Sequence, residues 1–329
     1  MKLIFIIGSS RSGTKMIRDM LNNIDSVCIT SVEMKILPHI LNKYKDIDKI
    51  SGSNLNALYK KLEGSTYALT MHGTDKYYNF SSFEALNNQK GIVEIMKNYI
   101  CFYEGKNPQK VKVFGDKTPS YHKNLKILDQ INKIIHIRII NMIRDPRDVA
   151  LSFKNSWGKS LYRSAWKWNK AVNNVLNYEN SDGDLSVKTI KYEDILNDTK
   201  NLTNQILNYI EVSIPKKKKL WEYRSSEVFG SANGYKGIKR DNIGKFEHEL
   251  SEKQIKEIEG LCFSNMIKFS YPILFSNQPN EANKILLSYL YLYDNIMYVF
   301  HILFRERGIK EGSKFLAKTY KRQFSKKSA

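Results

Sequence analysis

Residues 3–24, LIFIIGSSRSGTKMIRDMLNNI, decide how the chain is read. Leu3 to Ile7 is a short uninterrupted apolar run, as expected of a strand covered on both faces of a parallel sheet. After the glycine-containing stretch 8–15, Ile17, Met20, Leu21 and Ile24 recur at i, i+3, i+4 and i+7, the spacing of an amphipathic helix. A strand, a glycine loop and a helix together form a phosphate site, because the unpaired N–H groups and the positive end of the helix dipole point at the anion. The loop departs from the nucleotide-triphosphatase form G-x-x-x-x-G-K-S/T, in which the lysine follows the second glycine and reaches the β/γ-phosphates. Here Thr14 follows Gly13, Lys15 comes next, and Arg11 lies inside the loop.

The same alternation continues outward. VKVFGDKTP (111–119) reads as a strand ending at Asp116, Lys117 and Thr118, and IIHIRIINMIRDPRDVALSF (134–153) as a strand running into Arg144. Pro146 suits the first turn of the helix that Val149, Ala150, Leu151 and Phe153 begin. Ala165, Trp168, Val172 and Val175 share a helical face; 186–195 returns to strand character, and Leu202, Ile206, Tyr209 and Ile210 form another helical stripe. Strands alternating with helices imply an α/β fold with a mostly parallel, P-loop-like sheet flanked by helices. Ligands of such sheets sit at the carboxyl ends of strands, where Arg11, Lys117 and Arg144 fall.

At 329 residues the chain can bury one large α/β core or two modest domains. The expected division is a catalytic domain over 1–275 and a helical, basic extension over 276–329. Lys and Arg number 53 against 33 acidic residues, a balance of +20 that suits a polyanionic ligand or an anionic membrane surface, although lysine-rich composition also accounts for it. No aromatic-interleaved basic repeat supports a nucleic-acid partner. Cys28, Cys101 and Cys262 lie far apart, so neither a disulfide framework nor a metal site is indicated and a reducing, cytoplasmic setting is expected. The opening LIFII is too short for the apolar region of a signal peptide.

GSSRSGTKMI (8–17) resembles the 5′-phosphosulfate loop of sulfotransferases, usually P/S-R/K-S-G-T-T, and IRDPRDVALSF (143–153) resembles their 3′-phosphate motif R-D/N-P-R-D-x-x-x-S. DKTP (116–119), KYED (191–194) and KRDNIGKFEHELS (239–251) follow in the family's order. The opening is similar to that of tyrosylprotein sulfotransferases. The resemblance covers about residues 1 to 275 and implies 3′-phosphoadenosine 5′-phosphosulfate (PAPS) as cofactor. Under it, Arg11, Ser12, Gly13, Thr14 and Lys15 would hold the 5′-phosphate, and Arg144 and Ser152 the 3′-phosphate. Tyr192 would approach adenine, while Arg240 and the backbone near Gly244 would close over the 3′-phosphate.

Small-molecule sulfotransferases place a histidine base in K-T-H, where this chain has Pro119. Golgi-type and related bacterial enzymes use a glutamate after the first helix, and TSVEMKILPHIL (30–41) supplies Glu33. Glu33 is therefore the expected base, with Lys117 and Arg11 as transition-state cations. His122 is the reserve base; His72 is expected to be structural or to face the acceptor. The expected acceptor is a carbohydrate hydroxyl; a tyrosine or small-molecule acceptor and a P-loop kinase or nucleotide-triphosphatase are the rivals. An oligomer is left open.

The run ILLSYLYLYDNIMYVFHILF (285–304) has about the length of a membrane span, but Asp294 and His301 interrupt it. Residues 305–329 carry nine basic and two acidic side chains. Peripheral contact with an anionic membrane and packing on the catalytic domain or at a dimer interface both remain open for this segment.

Overall fold

A computed structural model describes residues 2–72, 77–213, 220, 222–223, 237, 239, 241–306 and 308–325, with side chains through residue 317. The chain runs β1 (Lys2–Gly8), α1 (Thr14–Asn22), β2 (Val27–Ile29), α2 (Leu37–Tyr44), α3 (Gly52–Glu63), α4 (Thr66–His72), α5 (Phe80–Asn87), α6 (Ile92–Glu104) and β3 (Val113–Lys117). A 3₁₀ turn (Pro119–Lys123), α7 (Leu125–Asn132), β4 (Ile137–Ile143), α8 (Pro146–Trp157), α9 (Leu161–Glu179), β5 (Ser186–Lys191), α10 (Tyr192–Asn197) and α11 (Thr199–Tyr209) follow. The last helices are α12 (Phe246–Glu249), α13 (Glu252–Lys268), α14 (Lys284–His301) and α15 (Gly308–Ser325), with a π-helical turn, Ile302–Glu306, before α15.

The chain divides into two compact units. The first holds residues 1–144 and 171–242, and the second 145–170 and 243–329. The first contains a five-stranded sheet of order β2-β3-β1-β4-β5, every neighbouring pair parallel. Alternation along β1 shows why its sequence is continuously apolar. Leu3, Phe5 and Ile7 enter a core built with α2–α7, whereas Ile4 and Ile6 enter a second core with Ile17, Met20 and Leu21 of α1 and Ile206 and Leu207 of α11. Both faces are covered, so no polar position is left in the strand.

The chain leaves β1 toward β2 on one side and β4 toward β5 on the other. The adjacent carboxyl ends of β1 and β4 therefore form the switch point at which an open α/β sheet leaves a crevice. Residues 8–13 and Arg144 emerge there. β5 ends at Lys191, earlier than its apolar character suggested, and Tyr192 begins α10. β2 was not apparent in the sequence; its three residues are too few to show a pattern.

In the second unit, Asp145 caps α8, its side chain accepting from the Arg147 N–H, and Pro146 occupies the first turn as its fixed φ favours. The fully buried Arg147 pairs with Asp145 (2.6 Å) and with Glu259 of α13 (2.7 Å). Glu259 also accepts from the N–H groups of Leu274, Phe275 and Ser276, so this buried carboxylate fixes the chain after α13. Gly158 ends α8 in the left-handed region at φ 65°, a backbone conformation that favours glycine, and it packs against the end of the Met297 side chain of α14. Among the described residues no helix is long and apolar enough to cross a membrane.

Candidate active site

Three successive features make the loop after β1 receptive to an anion. Gly8 turns at φ 130°, where a Cβ would strike the Met142 carbonyl oxygen of β4 at 2.1 Å. Arg11 stands in the left-handed region at φ 70°, uncommon for a residue with a Cβ. Gly13, at φ 85°, precedes α1 with no side chain capping that helix and no acidic residue in its first turn. The first intrahelical bond runs from Ile17 N–H to the Gly13 carbonyl, leaving the earlier N–H groups at the helix start facing the loop. Ser12 is fully buried and its Oγ has no hydrogen-bond partner. A buried hydroxyl and a helix start without a cap fit a phosphate group placed in the loop.

Arg144, at the end of β4, is directed back at this loop. Its Nη1 donates to the Arg11 carbonyl (3.3 Å), its Nη2 to the Asn242 carbonyl (2.6 Å), and its guanidinium lies 4.8 Å from the ring centroid of Tyr192. Asn242 Nδ2 donates to the Tyr192 hydroxyl (3.1 Å), and the same ring packs so closely on Gly13 that a Cβ there would come within 2.5 Å of Cδ2. Arg11, Gly13, Arg144 and Tyr192 are thus one constellation.

Ser152 lies on α8, in the second unit, as does Gly244 (φ 70°), whose N–H donates to Asp148 (2.9 Å). Arg240 lies outside the described residues. Thr14 is buried, Lys15 partly so.

On the other side of β1, Lys117 ends β3 opposite Ile6. Its side chain is 4% exposed and its Nζ lies 3.6 Å from Glu33 Oε1, while Glu33 Oε2 lies 3.6 Å from Lys35 Nζ. Burial pushes the Lys117 amine below the usual lysine range; Glu33 pulls it back up, and Arg18 and Lys15 push it further down. Lys15, which is in the wrong place for a Walker lysine, therefore adds positive potential at Lys117.

Glu33 sits in the irregular stretch between β2 and α2, and the residues on either side of it are clamped. Ser31 is held through its N–H and Oγ by Glu104 Oε1 (2.8 and 3.0 Å), and its carbonyl accepts from the Arg18 guanidinium. Met34 N–H donates to Asp116 Oδ1 (3.1 Å), and its carbonyl accepts from the Tyr121 hydroxyl. Asp116, fully buried with its acidity weakened by desolvation, also accepts from Thr30 and Thr118. Three of these clamps, Arg18, Thr30 and Glu104, were not singled out in the sequence, and Asp116 was read there only as part of the strand end and the DKTP motif. The signal for Arg18 was present: it shares the buried face of α1 with Thr14 and Leu21, an arginine on a core stripe. Glu104 gave none, since its partners lie far away in the chain.

His122, in the 3₁₀ turn, is buried and shares a hydrogen bond through Nδ1 with Asn174 Nδ2 (2.9 Å). With Nδ1 accepting from an amide, the neutral ring carries its proton on Nε2. His72 pairs with Glu63 (2.8 Å), which also accepts from Tyr99 and Tyr103. Its place is in a buried aromatic network.

The sulfotransferase domain from the curacin biosynthetic pathway is similar in fold, with a TM-score of 0.50, 16% identity, and coverage of 83% of this chain and 99% of its own. That from the Synechococcus PCC 7002 olefin synthase gives a TM-score of 0.49 and 18% identity over 83% of this chain and 96% of its own. No curated protein sequence matches this chain. A model described as the sulfotransferase family matches residues 4–216, well over half of the chain and nearly all of the stretch from β1 through β5, and the chain accordingly belongs to the sulfotransferase family of enzymes.

Proposed function

We propose that the chain transfers a sulfuryl group from PAPS to a carbohydrate hydroxyl, with Glu33 as general base and Lys117 and Arg11 as the cations of the transition state. The observation that carries this reading is the pairing of Glu33 with Lys117 at the carboxyl end of β3, one strand from the anion-receptive loop.

PAPS, when bound, would supply the sulfuryl group and leave as adenosine 3′,5′-bisphosphate. Arg11, Ser12, Gly13, Thr14 and Lys15 would hold its 5′-phosphate and Arg144 its 3′-phosphate, with Tyr192 near the base. A guanidinium inside the loop offers a planar fork to phosphate oxygens. Glu33 takes the acceptor's proton as the hydroxyl oxygen bonds to sulfur. Lys117 and Arg11 hold the negative charge that gathers on the bridging oxygen as its bond to sulfur breaks. Burial of Lys117 strengthens that interaction by keeping bulk water away from it.

The choice of a carbohydrate rests on the surroundings of Ser31, two residues from Glu33. Met71 of α4 touches Ser31, His72 follows, and the exposed Tyr77 ring stands 5.2 Å from His72. An exposed tyrosine face beside polar side chains is suited to stacking against a sugar ring while its hydroxyls are hydrogen-bonded. Incubation with labelled PAPS and panels of glycans, phenols, tyrosine peptides and lipids tests the proposal. Label is expected in the glycan panel; transfer confined to another panel would overturn the acceptor, and transfer to none would overturn the reaction.

A further inference from the structure

The residues that break the apolar run of 285–304 are turned inward. Asp294 accepts from the Ser160 N–H (2.9 Å) and pairs with Arg163 (2.5 Å), and His301 is buried. What faces outward is a stripe at helical spacing along α14, Ile285, Tyr289, Leu292, Ile296 and Phe300, continued by Phe304, whose ring stands 4.7 Å from that of Phe300. Ile285 is 84% exposed, Ile296 67% and Tyr289 65%. Within 285–304 the Asp and His side chains are thus on the protein side, and the solvent side is apolar and aromatic apart from Ser288, whose hydroxyl is turned back to the Lys284 carbonyl (3.0 Å).

We infer that this stripe is the in-plane anchor of an anionic lipid surface. Three observations select lipid over a second copy of the chain. The helix that follows is basic: Lys310 and Lys314 of α15 are exposed, and the sequence from 305 to 329 has a balance of +7. Pairing two copies through α14 would bring two such segments together, whereas an anionic surface attracts them. The stripe mixes aliphatic residues with tyrosine, whose apolar ring and polar tip suit the boundary between headgroups and acyl chains. Beside it opens a groove of about 540 Å³ whose lining includes Arg163, Trp166, Lys284, Leu287 and Tyr291. Arg163 is held by Asp294, so the exposed Lys284 is the cation this aromatic-lined groove offers to a lipid phosphate above its chains. Because no described helix is apolar enough to span, the contact lies in the plane of the interface.

Co-sedimentation of the full chain with vesicles tests the inference. Binding to phosphatidylcholine vesicles containing phosphatidylglycerol is expected, with loss on pure phosphatidylcholine and weakening as salt rises. An Ile285→Glu/Ile296→Glu variant should bind at least tenfold more weakly with an unchanged circular-dichroism melt, since both positions are exposed. Lys310→Glu/Lys314→Glu should weaken binding to the anionic vesicles alone. Equal binding by wild type and the Ile285→Glu/Ile296→Glu variant, or no binding by wild type, would overturn the inference. A wild-type dimer in light scattering that this variant converts to monomer, without vesicle binding, would assign the stripe to a second copy instead.

Discussion

Glu33 Oε1 and Lys117 Nζ stand 3.6 Å apart, the lysine buried and the glutamate about one-third exposed. Under the proposed mechanism the base, which must reach an acceptor, is the more open of the two, and the cation is closed off from water. Glu33→Gln keeps size and hydrogen-bonding capacity but removes basicity. Turnover should fall by roughly 10²- to 10⁴-fold with affinity for adenosine 3′,5′-bisphosphate retained. Single-turnover transfer to the acceptor identified by labelling checks this, and near-normal turnover would move attention to His122.

The lowered proton affinity of Lys117 has a pH signature. The amine is protonated below its folded-state value and loses its proton as pH rises, so activity should decline on the alkaline side at a pH below the ordinary lysine value of about 10.4. The same burial penalises the charged form in the fold; that cost is present at low pH and is relieved as pH rises through the lowered value. Lys117→Arg, which stays charged, should abolish this decline in kcat/KM. An identical alkaline limb in both proteins would assign it to another group.

Glu104 holds Ser31, two residues before Glu33, through two hydrogen bonds, and under the proposed mechanism it acts as a positioning residue for Glu33. Glu104→Ala should lower kcat by about ten- to a hundred-fold, since small misplacements at a reacting centre are costly. Bisphosphate affinity should stay within about twofold, and Glu104→Gln, which keeps an accepting oxygen, should restore most of the rate. A parallel loss of bisphosphate affinity would show a general structural defect.

Gly13→Ala combines a left-handed backbone at φ 85° with a methyl group 2.5 Å from Tyr192 Cδ2. Destabilisation of about 1–3 kcal/mol in urea titration is expected from the strain. The double variant with Tyr192→Ala should be less affected by the added methyl than the single one, because the side-chain part of the clash is gone; additive losses would place the cost in the backbone alone.

Much of this was legible because it is local. β1, β3 and β4 announce themselves as apolar runs that need both faces covered, and Ile17, Met20, Leu21 and Ile24 are the buried stripe their spacing implies. Pro146 begins α8 where its fixed φ permits. Glu33 and Lys117 could be named from their motifs, but their mutual distance is a product of β2 lying beside β3, and β2 is too short to be read. The clamps are tertiary for the same reason: Glu104 ends α6, and nothing in its own neighbourhood points to Ser31. Asp294 and His301 illustrate the opposite limit. Their charge was visible as an interruption, whereas the direction in which they face is tertiary: Asp294 is turned by Ser160 and Arg163, far off in sequence.

Calorimetric titration with adenosine 3′,5′-bisphosphate and, separately, with ATP and magnesium tests most directly whether the Arg11 loop and Arg144 serve a phosphosulfate nucleotide. Wild type should bind the bisphosphate without a metal, and Arg144→Ala should bind it about ten- to a hundred-fold more weakly, as expected on losing a charged hydrogen bond of about 1.5–3 kcal/mol. Tight binding of ATP with magnesium, together with bisphosphate affinity that is absent or unchanged in the variant, would contradict the account.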